Sequence, residues 1–540
     1  MLQTCVTVDV DAQTLHVISS GVDYAFPASQ TGEMPYQDGK TLTVMGKTFS
    51  VSDISRMYVD DSEVTDNKVC VNYNGTSASV VVAGNVAQYV NPVITNAHVD
   101  LVQSADVSAD NCGEITYTLS GASTDGEFTL EGSYKSSIEL AGLTLANPNG
   151  APLNILNGKR IALSVKKDTE NTLTDMASGE QKGCVVCKGH LELKGKGILN
   201  VYGNTAHGIH SKEYVEMKNC TVNILAAKKD GINCNQYFYM ESGTLNISNV
   251  GDDGVQVSYK DDTDRETEDT GALTIDGGIV NITVASASSK GIKAIGDITI
   301  NGGAVNVTAT GRESEGIESK AVLTVNDGTI VVAATDDAIN SASHMYIKGG
   351  NITVVSSGND GLDSNGNMYI SGGVTRAFGT TAPECGIDAN EEEGYSVYFT
   401  GGSLLAVGGG NSVPSSSAST QPYVTASVSV TAGGEVSLKN GSTVLASFIV
   451  PDNYSASSSG NGFGGMGGFS TFGPGGHGGP GGPGGPGGPG GPGGQGGGSS
   501  VLISCAGLAS GSSYTMTCGS SSSTVTASLK GSSNSGGRPW

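Results

Sequence analysis

At 540 residues the chain exceeds one ordinary compact domain, which leaves two to four domains or a single elongated repeat. Its 28 basic and 52 acidic residues give a net charge of −24, which argues against nucleic acid or anionic membrane as a partner and favours soluble behaviour, cation binding, or both. Aromatic residues make up 6%, too few for a large aromatic core, and no run of 18 apolar residues offers a spanning helix.

The first residues, MLQTCVTVDVDAQT, have no basic n-region and no apolar h-region. The chain is therefore cytoplasmic, or its leader was removed before the numbering begins. Residues 1–93 read as short strands and hairpins, an N-terminal β module or cap. From Ile94 to Asp175 the strand-rich stretches ITYTLSG, FTLEGSY and IALSVKKDTENTLTD suit the first, less regular coils of a repeat.

Self-similarity then becomes explicit. A small residue, preceded by a polar turn and followed by an apolar residue, recurs at Cys184, Gly208, Gly231, Gly254, Gly291, Gly316, Ala338, Gly361 and Gly386, with steps of 22 to 25 residues and a single step of 37. Between these landmarks lie β-branched stretches and a second glycine motif, as in ESGTLNI, DGGIVNI and NGGAVNV. A unit of this length, rich in Gly, Thr and Asn, has no room for a 3.6-period helical stripe, so each unit is three short strands and three turns. Such a coil hides its apolar side chains only by stacking on copies of itself about 4.8 Å apart. The expected fold is all-β: a right-handed, single-stranded parallel β-helix over residues 94–410. The long step carries an insertion, Lys260 to Thr270 (KDDTDRETEDT), which is too acidic for burial and is expected to loop out.

Strand alternation points the residues one and three places after each small residue inward. This makes Cys187 and Cys234 core residues, two coils apart and too distant for a disulfide. The residue two places after points outward, giving the file Val186, His210, Asn233, Gln256, Lys293, Glu318, Asn340, Asp363 and Asp388. Residues 411–540 read as a C-terminal β module interrupted by a Gly/Pro-rich, disordered surface loop at 456–499. Cys505 and Cys518 can pair across that module's hairpin in an oxidising compartment.

Chemistry concentrates at the turn before each small residue. Carboxylates at equivalent turns of neighbouring coils become spatial neighbours, and they repel unless solvated or bridged by a cation. Two clusters follow: Asp230 with Asp252 and Asp253, and Asp336 with Asp337, Asp360 and Asp363. A hard divalent cation takes six to eight oxygens at about 2.3–2.6 Å, so Ca2+ suits either cluster. The alternative is that these Asp residues merely favour the turn and remain solvated. Between the clusters lies a basic rung, Lys290 and Lys293, flanked by Asp253, Gln256, Glu315 and Glu318. With Asn233 these residues (Gln256, Lys290, Lys293, Glu315, Glu318) form the candidate carbohydrate-binding set. A lysine beside calcium can hold a uronate carboxylate or act as base in a β-elimination; the alternative is plain charge balancing. His190, His207 and His210 lack ligand spacing and read as surface residues, and no nucleophile or dinucleotide motif occurs.

Several segments carry a family resemblance: ITYTLSG at 115, GKRIALSVKKDTENTLTD at 158–175, GHLELKGKGILNVYGN at 189–204, the DGI coils with their IxGGxxNI motifs, and VTAGGEVSLKNGSTVLASF at 430–448. Together they resemble a bacterial carbohydrate-binding-domain-containing family of parallel β-helix proteins, itself similar to polysaccharide-lyase β-helices. The resemblance implies an extracellular or cell-surface location, bound calcium, and binding of acidic plant polysaccharide such as pectin or polygalacturonate. The family's Asp-Gly turns correspond here to Asp230, Asp253, Asp337 and Asp360; His207, Lys290, Glu315 and Cys385 depart from that pattern. The reading is a non-catalytic, calcium-dependent binder of acidic polysaccharide. The alternatives are a calcium-dependent polysaccharide lyase and a structural surface spacer or adhesin.

Overall fold

The computed structural model describes residues 13–259, 266–415, 418–455 and 499–530. The Gly/Pro-rich tract, 456–498, and most of the acidic insertion, 260–265, lie outside the described residues. Within the described residues the regular structure is strand throughout, apart from four three-residue 3-10 turns.

Each coil carries three strands. In one they are Ile232–Cys234, Tyr237–Met240 and Thr244–Val250, each hydrogen-bonded in parallel to its counterpart in the next coil: Val255–Val257, Ala272–Ile275 and Ile279–Val284. The first strands of successive coils build a 13-stranded sheet in which Val90–Thr95 pairs antiparallel and all later strands, from His98–Gln103 to Ile387–Ala389, run parallel. The second and third strands form the other two faces. This is the parallel β-helix that the spacing requires.

The register matches the landmark spacing. Val185, Ile209, Ile232, Val255, Ile292, Ile317, Ile339, Leu362 and Ile387 are successive partners. None is more than 1% exposed. Each such side chain contributes roughly 1.5–3 kcal/mol of gross hydrophobic stabilisation. A slip of one residue would turn the whole column to solvent, which fixes the register strongly. Cys187 and Cys234 lie in this interior as free thiols.

Two glycine files have different causes. Gly208, Gly231, Gly254, Gly291 and Gly316 do not have positive φ; a Cβ on them would meet the carbonyl oxygen of the next coil at 2.4–2.7 Å, so close backbone approach excludes a side chain. In contrast Gly243, Gly278, Gly303, Gly328, Gly350, Gly373 and Gly402 turn the chain into the third strand with φ between +72° and +113°.

Antiparallel strand pairs cap both ends of the stack, joined to it by a parallel pairing at the N-terminal end and an antiparallel one at the other. At the N-terminal end the hairpin Lys68–Asn74 with Ser77–Ala83 adds onto Ile115–Ser123, and one core runs unbroken from Leu15 into the coils. At the other end Ser403–Gly408 pairs antiparallel with Ser499–Ser504, which also pairs with Tyr423–Val428. That reversal covers the last parallel edge. Beyond it, Glu435–Asn440, Thr443–Ile449, Ser513–Cys518 and Ser521–Thr526 form a four-stranded sheet whose core around Val436, Leu438, Phe448 and Met516 is shared with Val355, Phe378, Leu405 and Val407 of the last coils.

Two expectations are corrected here. Cys505 and Cys518 are buried free thiols, not a disulfide; Cys505 follows the strand Ser499–Ser504 of the large sheet and Cys518 ends the strand Ser513–Cys518 of the four-stranded sheet, so they do not face across one hairpin. The described end of the insertion does not simply loop out either. Asp269 is 7% exposed, and its Oδ2 accepts the backbone N–H of Glu266 at 2.6 Å. That bond gives the acidic side chain a partner inside the turn.

Candidate functional site: the acidic file of the first sheet

Because the first strands stack in register, the turn residues ahead of them stack too. Asp253 N–H points at Asp230 Oδ1 (3.3 Å), Lys290 N–H at Asp253 Oδ1 (2.7 Å), Asp360 N–H at Asp337 Oδ1 (3.1 Å) and Cys385 N–H at Asp360 Oδ1 (2.5 Å). Each turn Asp therefore accepts the backbone N–H of the equivalent residue one coil on. The solvated-turn alternative fails: Asp230, Asp253, Asp337 and Asp360 are only 1%, 2%, 5% and 6% exposed.

The outward file is crowded as well. At the spacing of adjacent strands, neighbouring side chains cover one another. Asn233 donates to Asp230 Oδ2 and to Gln256 Oε1, both at 2.8 Å, and Asn340 donates to Asp337 Oδ2 (3.0 Å) and Asp363 Oδ2 (3.3 Å). His207 and His210 are buried rather than on the surface. His207 Nδ1 lies 3.2 Å from Asp230 Oδ2, and His210 Nδ1 lies 3.0 Å from Asn233 Oδ1. Burial, with His207 beside it, pulls His210 down to about 4.

Lys290 and Lys293 are neutralised. Lys290 Nζ is 3.4 Å from Glu315 Oε1, Lys293 Nζ is 3.6 Å from Asp253 Oδ2, and Glu318 pairs with Lys320. Burial pulls Lys293 down, yet Asp253, Glu318 and Asp252 outweigh it and hold the ammonium above its ordinary value. Charge balancing thus accounts for the basic rung.

The two acidic clusters differ in this respect. Ligand atoms of Asp230, Asp252 and Asp253 lie within 4.8 Å of one another, but Lys293 supplies a positive partner there and the His207 ring lies against Asp230. Burial pushes Asp253 up to about 6 despite Lys293, and burial with Asp230 raises Asp252. Asn340 bridges Asp337 and Asp363, and Asp336, Asp337, Asp360 and Asp363 act on one another electrostatically, but no three of them bring ligand atoms within 4.8 Å as Asp230, Asp252 and Asp253 do; among the described residues no ion pair reaches them. Burial is the first cause that pushes Asp337, Asp360 and Asp363 each up to about 8, and neighbouring carboxylates add to it. Glu315 is pushed to about 7 by burial and Glu318. This second cluster is an all-oxygen donor set without a counter-ion, a composition that suits a hard divalent cation.

One end of the second cluster borders a further group that includes a thiol. Asp388 joins Asp360 and Cys385, with ligand atoms within 4.8 Å. Asp388 stands in the outward file read from the landmarks, so the signal was present. A separate group, His190 with Glu213 and Glu266, lies off this face, although His190 lacks ligand spacing along the chain.

The site and scaffold define a class: a parallel β-helix with stacked, largely buried carboxylates along one face. The model of the family described as carbohydrate-binding domain-containing protein matches residues 104–361 and 309–459, and the chain belongs to that family. No curated protein matches. A solved structure of the polysaccharide lyase-like protein from C. thermocellum, a gadolinium derivative, is 20% identical, with a TM-score of 0.39 over 48% of this chain and 96% of that one.

Proposed function

We propose that this chain is an extracytoplasmic, non-catalytic binder of acidic polysaccharide of the pectin or polygalacturonate type, and that it holds the glycan through Ca2+ at Asp336, Asp337, Asp360 and Asp363. Family membership supports carbohydrate as the ligand class. One observation supports the metal: Asp337, Asp360 and Asp363 are pushed up to about 8 by burial and then by neighbouring carboxylates, with no cation partner among the described residues. A divalent ion lowers the energy of such a cluster by supplying the missing charge. Asp336 and Asp363 are only half-buried and sit on the solvent side. A calcium ion held there keeps coordination positions open for a uronate carboxylate, which the net charge of −24 would otherwise repel.

The test is retention on polygalacturonate, with a neutral glucan as control. Calcium should give retention on the acidic polymer alone, a chelator should abolish it, and Asp336→Asn with Asp363→Asn should weaken it. Retention that survives the chelator overturns calcium bridging. A blank result on both polymers, with calcium only raising the melting temperature, favours a surface spacer.

A further inference from the structure

At the corner between the first and second strands, equivalent residues of successive coils form another pair of files. The rings of His190, Tyr214 and Tyr237 stack, with centroids 4.3 and 4.7 Å apart. Glu213 and Gln236 immediately precede the two tyrosines and form the neighbouring file. The end of the acidic insertion returns to this corner. One ligand atom each from His190, Glu213 and Glu266 lies within 4.8 Å of the others, and His190 Nε2 is 3.9 Å from Glu213 Oε2.

A second observation points to a missing partner. Gln236 is 0% exposed, and its Nε2 donates to Glu266 Oε2 at 3.3 Å, which holds the amide against the cluster. Its Oε1 meets no hydrogen-bond partner among the described residues, and neither does the buried Oδ1 of Asp269 on the same loop. Burying an acceptor without a donor is unfavourable. A cation satisfies an orphaned amide oxygen, carboxylates and an imidazole nitrogen together.

We infer that His190, Glu213 and Glu266, with the Gln236 amide oxygen as a further donor, form a site for a divalent cation of the zinc class. An imidazole nitrogen among a small number of oxygens suits Zn2+, whereas Ca2+ takes oxygens alone and more of them. Tyr214, stacked on His190 with 4° between the ring planes, fixes the imidazole's orientation as an outer-shell partner does. His190 and Glu213 belong to successive coils and Glu266 to the insertion, so the ion clasps the insertion onto the stack. The site stands apart from the acidic file and does not depend on the calcium reading.

The test uses the full chain, stripped with a chelator and titrated with Zn2+ by calorimetry in excess Ca2+, and in parallel with Co2+ while visible absorbance is followed. The expected result is zinc binding that excess calcium does not displace, together with visible cobalt bands. His190→Gln should remove both, and Glu266→Gln should weaken zinc by about tenfold or more. Asp336→Asn should leave zinc unchanged. Glu266 is exposed, so its variant keeps the test decisive if His190→Gln fails to fold. Absence of zinc binding in the wild type, or unaltered affinity in Glu266→Gln, overturns the inference.

Discussion

Raising the pH with a chelator present should destabilise this protein, and calcium should reverse the effect. Asp337, Asp360 and Asp363 have an ordinary value of 3.8 and are held at about 8 in the fold. Between those values the folded state keeps protons that the unfolded state has lost. The stability these groups contribute is therefore greatest below about pH 4, falls as pH rises, and levels off above about pH 8. One carboxylate held about four pH units above its unfolded value accounts for a loss on the order of 5 kcal/mol across that window, since each unit is worth about 1.4 kcal/mol. Calcium binds only the ionised cluster, so the stabilisation it brings should be small at pH 5 and large at pH 8.5. The assay is urea denaturation at both pH values, with chelator and with calcium. Stability in chelator that is flat or rising from pH 5 to 8.5, or a calcium increment equal at both, would refute the assignment of these carboxylates.

Two further outcomes follow from the geometry. Gly254→Ala places a Cβ 2.4 Å from the Gly291 carbonyl and 2.5 Å from Ile282 Cγ2, and should cost about 1–3 kcal/mol or more in a urea titration; a neutral result would mean that the coils are not in close backbone contact. Incubation with polygalacturonate and calcium should give no rise in the ultraviolet absorbance of unsaturated uronate ends. Lys290 and Lys293 are both ion-paired, and the Lys293 ammonium, held above its ordinary value, is a poor base at neutral pH. A steady rise would restore the lyase alternative.

The coil architecture was legible in the sequence because it repeats: a period near 23 residues places Ile232 over Ile209 and Asp253 over Asp230 with no other information. What the sequence left hidden is how deeply the turn carboxylates are buried. Burial of Asp230 to 1% exposure comes from the coils above and below it, which a period does not measure. The same holds for the landmark glycines from Gly208 to Gly316. Their spacing was visible, but the reason for it, the next coil's carbonyl at 2.4–2.7 Å, is a property of stacked backbones. The His190 group was out of reach for a different reason. Glu266 comes from the one irregular step in the series, where the repeat no longer says which residue lies over which.

Closing a coil does not require a charge. Asn171 Oδ1 accepts the N–H groups of Gly142 and Leu143 at 2.9 and 2.8 Å, and Asn411 Oδ1 accepts that of Gly386 at 2.9 Å, so a neutral amide oxygen serves between coils elsewhere in this chain. At Asp337 and Asp360 the same task is given to carboxylates, whose ionisation burial opposes. The negative charge there is surplus to the hydrogen bond and works against folding at neutral pH. Asp337→Asn and Asp360→Asn should therefore keep the inter-coil bonds, raise the melting temperature in chelator at pH 8, and abolish the calcium-dependent increment. If these variants instead lower the melting temperature in chelator, the charge belongs to the scaffold, and the case for a cation at this cluster falls with it.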